Sequence, residues 1–237
     1  MRAFDEDLRF LREFLERGER EGRVRRLAPS DPSGFEGEEP QLVLREESWV
    51  ELGNPELPSF ASVLLTETPG LVRDGGMSLI GEDLPGLRGE VPFAQLCLVE
   101  SREIRDEDYR RLSLVPFRLR LRGYMVRSLP SQLRIWSRVS AEAVERGFSF
   151  SVLGEALRRT LRSAFPVSAV EVVFSTSQEG VEALRGIGEK AGKIAGAIGK
   201  MVEEVSLDCE RCDYREVCGS VAELRQIRER KLREARG

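Results

Sequence analysis

Three of the four cysteines of this chain, Cys209, Cys212 and Cys218, stand together in the segment DCERCDYREVC, residues 208–218. Their spacing, CxxCxxxxxC, suits a metal site. A CxxC turn aims two thiolates at one metal from a single tight loop, and a third thiolate reaches it once the chain turns back. The chain has no histidine. That removes the commonest general base, every Ser–His or Cys–His nucleophile pair, and every zinc site of mixed Cys/His type. Soft thiolates without histidine favour an iron–sulfur cluster, [4Fe–4S], with zinc as the alternative. Three thiols leave one ligand position open. The remaining cysteine, Cys97, lies in the apolar run VPFAQLCLVE, where a free thiol more often behaves as a small hydrophobe. Asp208, Asp213, a small molecule or a second subunit are the other candidates for the fourth position.

A second constellation is electrostatic. Between Arg110 and Val139 there are eight arginines, at 110, 111, 118, 120, 122, 127, 134 and 138, with no acidic residue and no lysine, in a chain of net charge −4. Guanidinium forks donate bidentately to phosphate or carboxylate, so the strip reads as an anion site for a phosphorylated small molecule or nucleic acid. The competing reading is a solvated face paired with carboxylates of neighbouring elements. Phe117, Tyr124 and Trp136 stand among the arginines and could stack on a base, although each ring singly is better suited to core packing.

These residues need a scaffold. Residues 3–17 repeat Phe4, Leu8, Leu11 and Leu15 at helical spacing, and APSDPSGFEGEEPQ after them reads as a linker. QLVLREESWVEL, ASVLLTE, GMSLIGEDLPG and the run around Leu96 read as strands. FRLRLRG alternates strictly, which predicts a strand with Arg118, Arg120 and Arg122 on one face and Leu119 and Leu121 on the other. Two further strands meet at Pro130. Residues 140–165 read as helical, with Ser140 as half of a capping box and Ser149 or Ser151 as an N-cap. SAVEVVFST is the last strand. A long helix from about Glu179 to Glu204 then leads to the cysteines, and a charged helix starts near Ser220. The interleaving lacks a regular βαβ period, so the expectation is α+β: a layered mixed sheet with packed helices and a helical cysteine-bearing extension. The expected divisions are 1–40, 41–178 and 179–237.

At 237 residues, with 41% hydrophobic and 33% charged content, the chain can bury a core without metal or disulfide staples. No apolar run approaches the ~20 residues of a membrane span, so a cytoplasmic protein is expected, whose clustered thiols stay reduced. In GIGEKAGKIAGAIGKM, Gly188, Gly192, Gly196 and Gly199 make a small helical face, suited to close helix pairing, as across a homodimer, or to local flexibility.

SWVELGNPELPSFASVLLTETPGLVRDGGMSLIGEDLPG, and IWSRVSAEAVERGFSFSVLGEALRRTLRSAFP followed by VEVVF, resemble the middle part of the acetyl-CoA synthase/decarbonylase β subunit, the partner of carbon monoxide dehydrogenase. The resemblance covers most of residues 45–185. It implies the chemistry of that system, in which a methyl group from a corrinoid protein, carbon monoxide and coenzyme A are joined at a nickel centre bridged to a [4Fe–4S] cluster. It further implies anaerobic conditions and coenzyme A contacts through arginine and tryptophan, which by region and residue type fall on Arg127, Arg134, Trp136 and Arg138. Carbon monoxide dehydrogenase and corrinoid protein subunits are the implied partners. The departures are as informative. The family's nickel site uses four cluster cysteines and a Cys-Gly-Cys pair, whereas this sequence has no Cys-Gly-Cys and spaces its cysteines differently. The expected function is therefore an acetyl-CoA synthase-like iron–sulfur protein, as a shortened acyltransferase or an accessory subunit. The alternatives are a zinc-stapled module binding protein or, less in keeping with the chain's acidity, nucleic acid, and a structural subunit whose metal only ties the C-terminal helices together.

Overall fold

The computed structural model describes residues 1–39, 41–129, 134–203, 209 and 212–234. The first apolar stripe forms α1 (Asp5–Arg20), which buries Leu8, Leu11 and Leu15, with Phe4 just ahead of it. Acidic residues in its first turn and Arg17 and Arg20 in its last complement the helix dipole. Asp5 also accepts hydrogen bonds from the hydroxyls of Thr66 and Thr68, both at 2.6 Å, and so ties α1 to the sheet beneath it.

The strands are β1 (Val24–Arg26), β2 (Ser48–Leu52), β3 (Ser59–Thr66), β4 (Met77–Ile80), β5 (Gly89–Val91), β6 (Phe93–Glu100), β7 (Tyr124–Leu129), β8 (Arg134–Ser140) and β9 (Ala169–Ser175). They make two mixed sheets, in the orders β1-β4-β9-β6-β3 and β5-β2-β8-β7. In the first, β4 runs parallel to β9 and β3 parallel to β6, while β6 and β9 are antiparallel. The other helices are α2 (Asp106–Ser113), α3 (Val115–Arg118), α4 (Ala141–Glu145), α5 (Phe150–Ala164), α6 (Gln178–Glu203), α7 (Arg215–Ser220) and α8 (Ala222–Glu234). This is the expected α+β architecture. One hydrophobic core draws on α1, both sheets and α5 to α8.

Helices cover both faces of the first sheet. On one face α5 comes close because Gly154 has no side chain: a Cβ there would lie 2.5 Å from the sulfur of Met77. Phe150 of α5 packs on Phe174 and Phe93, with ring centroids 4.8 and 5.8 Å away. On the other face α6 does the same with Gly180 against Ser175 and Ile80, and with Gly188 against Phe60. The close approach allowed by the α6 glycines is thus made within the chain: Gly196 faces Tyr214 and Gly199 faces Arg110. β3 is an edge strand, yet all eight of its residues are buried, and Tyr109 of α2 donates its hydroxyl to the carbonyl of Val63 at 2.9 Å. Covering the edge in this way removes a template for strand addition.

Two local expectations are corrected and a third is refined. FRLRLRG is not a strand: Val115–Arg118 is a short helix with Pro116 in its first turn, and only Leu121 makes isolated bridges. The alternation of exposure survives without a ladder, since Leu121 is buried and Arg118, Arg120 and Arg122 are exposed. The stretch after α1 is no free linker, because Phe35 is buried with its ring edge-on to Phe148 at 5.1 Å. Ser149 is the N-cap residue of α5, as expected, but its side chain makes no capping hydrogen bond. Asp83, distant in sequence, accepts from the Phe150 N–H at 3.0 Å. Ser140 does cap α4, accepting from the Ala143 N–H at 3.2 Å. The junction at Pro130 lies outside the described residues.

Gly188→Leu is expected to destabilise the protein by about 1–3 kcal/mol, the usual cost of overpacking, because even its Cβ would sit 2.5 Å from the Phe60 ring. Urea unfolding of Gly188→Leu beside Gly186→Ala, whose Cβ meets nothing within 4 Å, is the measurement.

Candidate functional site

The second sheet builds the arginine face. Side chains opposite one another on antiparallel strands share a face, and the register sets Arg127 against Trp136 and Glu51 against Arg138. Along β8, Arg134, Trp136 and Arg138 are half-buried while Ile135, Ser137 and Val139 are buried, so one pleat faces outward and the other the core. The four residues read from the sequence as anion-binding therefore lie together.

Their electrostatic states differ. Arg138 donates from Nε to Glu51 at 2.6 Å, with the two side chains only 14% and 9% exposed, so its charge is neutralised inside the fold. Arg134 donates from Nη2 to the carbonyls of Asn54, Pro55 and Leu57 at 3.0, 3.0 and 3.1 Å. The loop it grips is rigid: Asn54 Oδ1 accepts from the Glu56 and Leu57 N–H groups, and Gly53, at φ +65°, packs against Ser59. Arg134 is therefore a pin, with Nε and Nη1 unengaged among the described residues. Arg127 is exposed, and its guanidinium lies 5.0 Å from the Trp136 ring centroid. Arg138 approaches the same ring at 5.5 Å, and the indole N–H is buried without a partner among the described residues. Cation–π contact of this kind is worth about 0.5–2 kcal/mol.

The other arginines go elsewhere. Arg118, Arg120 and Arg122 line a separate open pocket of about 920 Å³ with Glu36, Glu38 and Arg159. Arg111 pairs with Asp108 at 3.5 Å, and Arg110 lies against Gly199. Of the three rings that stood among them, Tyr124 and Phe117 are buried in the core; Trp136 alone is half-exposed on the arginine face.

Cys209, Cys212 and Cys218 line one small pocket of about 30 Å³, with Ala197, Lys200 and Met201 of α6, Tyr214, Arg215 and Arg228. Burial pushes the Cys218 thiol up, the neighbouring Cys212 and Cys209 push it the same way, and Arg228 opposes them. Among the described residues no three Cys, Asp or Glu side chains form a set able to hold a metal ion. The thiols converge without being closed into a ligand set. By donor type they fit a thiophilic metal: among the described residues no carboxylate lines the pocket, and three cationic side chains do. Cys97 is apart from them, fully buried in β6, its thiol pushed up to about 12 by burial. Asp213 is exposed, and Asp208 lies outside the described residues.

The two constellations are joined. A pocket of about 300 Å³ holds Arg127, Trp136, Arg134 and Ser59. A cleft of about 450 Å³ begins at the same Arg134 and Ser59 and ends at Tyr214. Tyr214 in turn walls the thiol pocket. Arginine face, cleft and thiols thus form one row, partitioned by Arg134 and Tyr214. The sequence reading missed Tyr214, although it sits inside the cysteine motif, as well as Arg185 and Lys193 in the cleft and Arg228 at the thiols.

What the fold and site define is an α+β protein with an arginine–tryptophan face opening toward a thiol cluster on a helical extension. Residues 32–181 match the family of the CO dehydrogenase/acetyl-CoA synthase complex beta subunit, and the chain belongs to that family. It is also 28% identical over 151 residues to the acetyl-CoA decarbonylase/synthase complex subunit beta of Methanopyrus kandleri, a match covering 61% of this chain and 32% of the relative. The chain therefore spans about a third of that relative's length. Among the described residues no helix is long and apolar enough to cross a membrane.

Glu51→Ala strands the Arg138 charge in the fold and is expected to cost about 3–5 kcal/mol, the usual penalty for breaking a buried pair. Glu51→Ala with Arg138→Met should recover most of that loss in chemical denaturation.

Proposed function

We propose that this chain is an acetyl-CoA synthase-like iron–sulfur protein of the CO dehydrogenase/acetyl-CoA synthase system, binding coenzyme A, or a partner subunit of that system, on the face of Arg127, Arg134 and Trp136. The observation that supports this best is the row of pockets leading from that face to the three thiols. On this reading Arg127 and the free donors of Arg134 hold phosphate groups, Trp136 stacks on the base, and Arg138 serves as a positioning residue by holding the sheet through Glu51. Cys209, Cys212 and Cys218 would hold the cluster, which when bound supplies one-electron chemistry and an iron open to a fourth ligand. Lys200, Arg215 and Arg228 would offset its negative charge. No nickel centre is assigned, because these residues contain no Cys-Gly-Cys pair.

Zinc is the second reading, and the pocket size favours it. A space of about 30 Å³ takes a single ion, whereas a four-iron cluster requires the thiols to part. In that case the metal staples α6, α7 and α8 and takes no part in chemistry.

Metal analysis separates the two. Protein purified without oxygen should be brown and hold iron and acid-labile sulfide in equal amounts, and Cys212→Ser should lose both. Colourless protein with one zinc per chain ends the iron–sulfur reading. Calorimetry with coenzyme A checks the other half. Arg127→Ala and Trp136→Ala should each weaken binding about tenfold, the worth of one charge-assisted or cation–π contact. Absence of heat with the wild-type protein at millimolar ligand removes coenzyme A and leaves the partner subunit.

A further inference from the structure

The cleft between the β3 edge and α6 shares Arg134 and Ser59 with the tryptophan pocket and Tyr214 with the thiol pocket, and most of its lining belongs to neither. Phe60, Val181 and Pro58 form an apolar wall, and Gly188 and Gly192 leave the α6 side flat. Arg134, Arg185 and Lys193 surround it against a single carboxylate, Glu189. Arg185 is engaged by Glu182 at 2.5 Å, but Lys193 is exposed and has no partner among the described residues. The hydroxyl of Ser59, a buried residue at the mouth shared with the tryptophan pocket, is likewise unpartnered. The volume, about 450 Å³, lies within the usual range for small-molecule sites, which combine apolar walls with a few fixed polar groups.

The end wall decides what fits. Tyr214 is planted on Gly196, whose missing side chain makes the room: a Cβ there would lie 2.6 Å from the tyrosine hydroxyl. The same residue lines both the cleft and the thiol pocket. We propose that this cleft binds an amphipathic organic anion, its hydrocarbon part lying over Gly192, between the Phe60 ring seated on Gly188 and the Tyr214 ring seated on Gly196, and its acidic head on Lys193, and that Tyr214 limits the length of the hydrocarbon. The proposal does not depend on the identity of any metal or on coenzyme A binding.

The probe is 8-anilinonaphthalene-1-sulfonate, titrated by fluorescence into the folded full-length chain. Saturable binding at one site is expected, weakened about tenfold by Lys193→Glu, since reversing a charge beside an anion costs at least one charge-assisted contact. Arg9→Glu, an equal change of net charge on α1, should leave it unaltered. Gly192→Leu fills the cleft and should abolish it, with circular dichroism confirming the fold. Butyl, hexyl and octyl phosphate then compete for the site: the wild type should reject chains beyond a cut-off length, and Tyr214→Ala should admit longer ones. Absence of saturable binding overturns the site, as does equal loss in Lys193→Glu and Arg9→Glu. A cut-off unmoved by Tyr214→Ala overturns the role of the tyrosine.

Discussion

Between Gly188 and the ring of Phe60 there is no room for a methyl group, and the position of α6 follows from that contact. A helix of 26 residues is about 39 Å long at roughly 1.5 Å per residue, so one end can lie on the first sheet while the other carries the cysteine segment. Gly180 and Gly188 seat it on Ile80, Ser175 and Phe60, and Gly196 offers the next seat to Tyr214. Because 3.6 residues make a turn, Gly188, Gly192, Gly196 and Gly199 fall within roughly a quarter turn of one another. The interior glycines each cost the helix about 1 kcal/mol of propensity relative to alanine. That cost is offset by the contacts they permit, made along one face and within the chain.

Charge is arranged on the same frame by pairing some arginines and leaving others. Arg138 and Glu51, on neighbouring strands, neutralise each other where water is scarce, and a lone guanidinium there would carry a desolvation penalty. Arg134 satisfies three loop carbonyls and thereby orders residues 54–57, of which Asn54 and Pro55 line the tryptophan pocket. These two commitments leave Arg127 as the guanidinium of the outward pleat with no anionic partner among the described residues, stacked on an indole that limits its freedom. A cation so preorganised loses less entropy on meeting an anion than a free surface arginine does.

Period and composition made the main elements legible. α1, α6, α8 and the strands around Leu64, Leu96 and Val172 follow their apolar spacing, and the sharing of one face by Arg134, Trp136 and Arg138 is plain two-residue alternation. Arg127 joined them only through the register of β7 against β8, which a sequence does not print. FRLRLRG shows how alternation misleads: Pro116 seats a helical turn, Gly123 takes a positive φ of 73°, and between them exposure alternates with no ladder. α2 went unread because its apolar content, Tyr109 and Leu112, is slight beside its charges. The Asp83 cap on Phe150 is tertiary, 67 residues away, and invisible to local rules. Clustered arginines in sequence became three separate places in space, since a helix, a turn and a hairpin intervene.

The family match ends at residue 181, just inside α6. Ser59, Phe60 and Arg134 on one side of the 450 Å³ cleft belong to the matched region, and Arg185, Lys193 and Tyr214 on the other do not. Neither part encloses the space alone, because β3 offers an edge and α6 a flat glycine face. The thiols likewise lie wholly on the unmatched side, joined to the arginine face through that cleft. The extension therefore does more than cover the sheet. By seating one helix on Phe60 and one tyrosine on Gly196, it brings a soft-donor cluster of its own to the open side of a fold shared with the family.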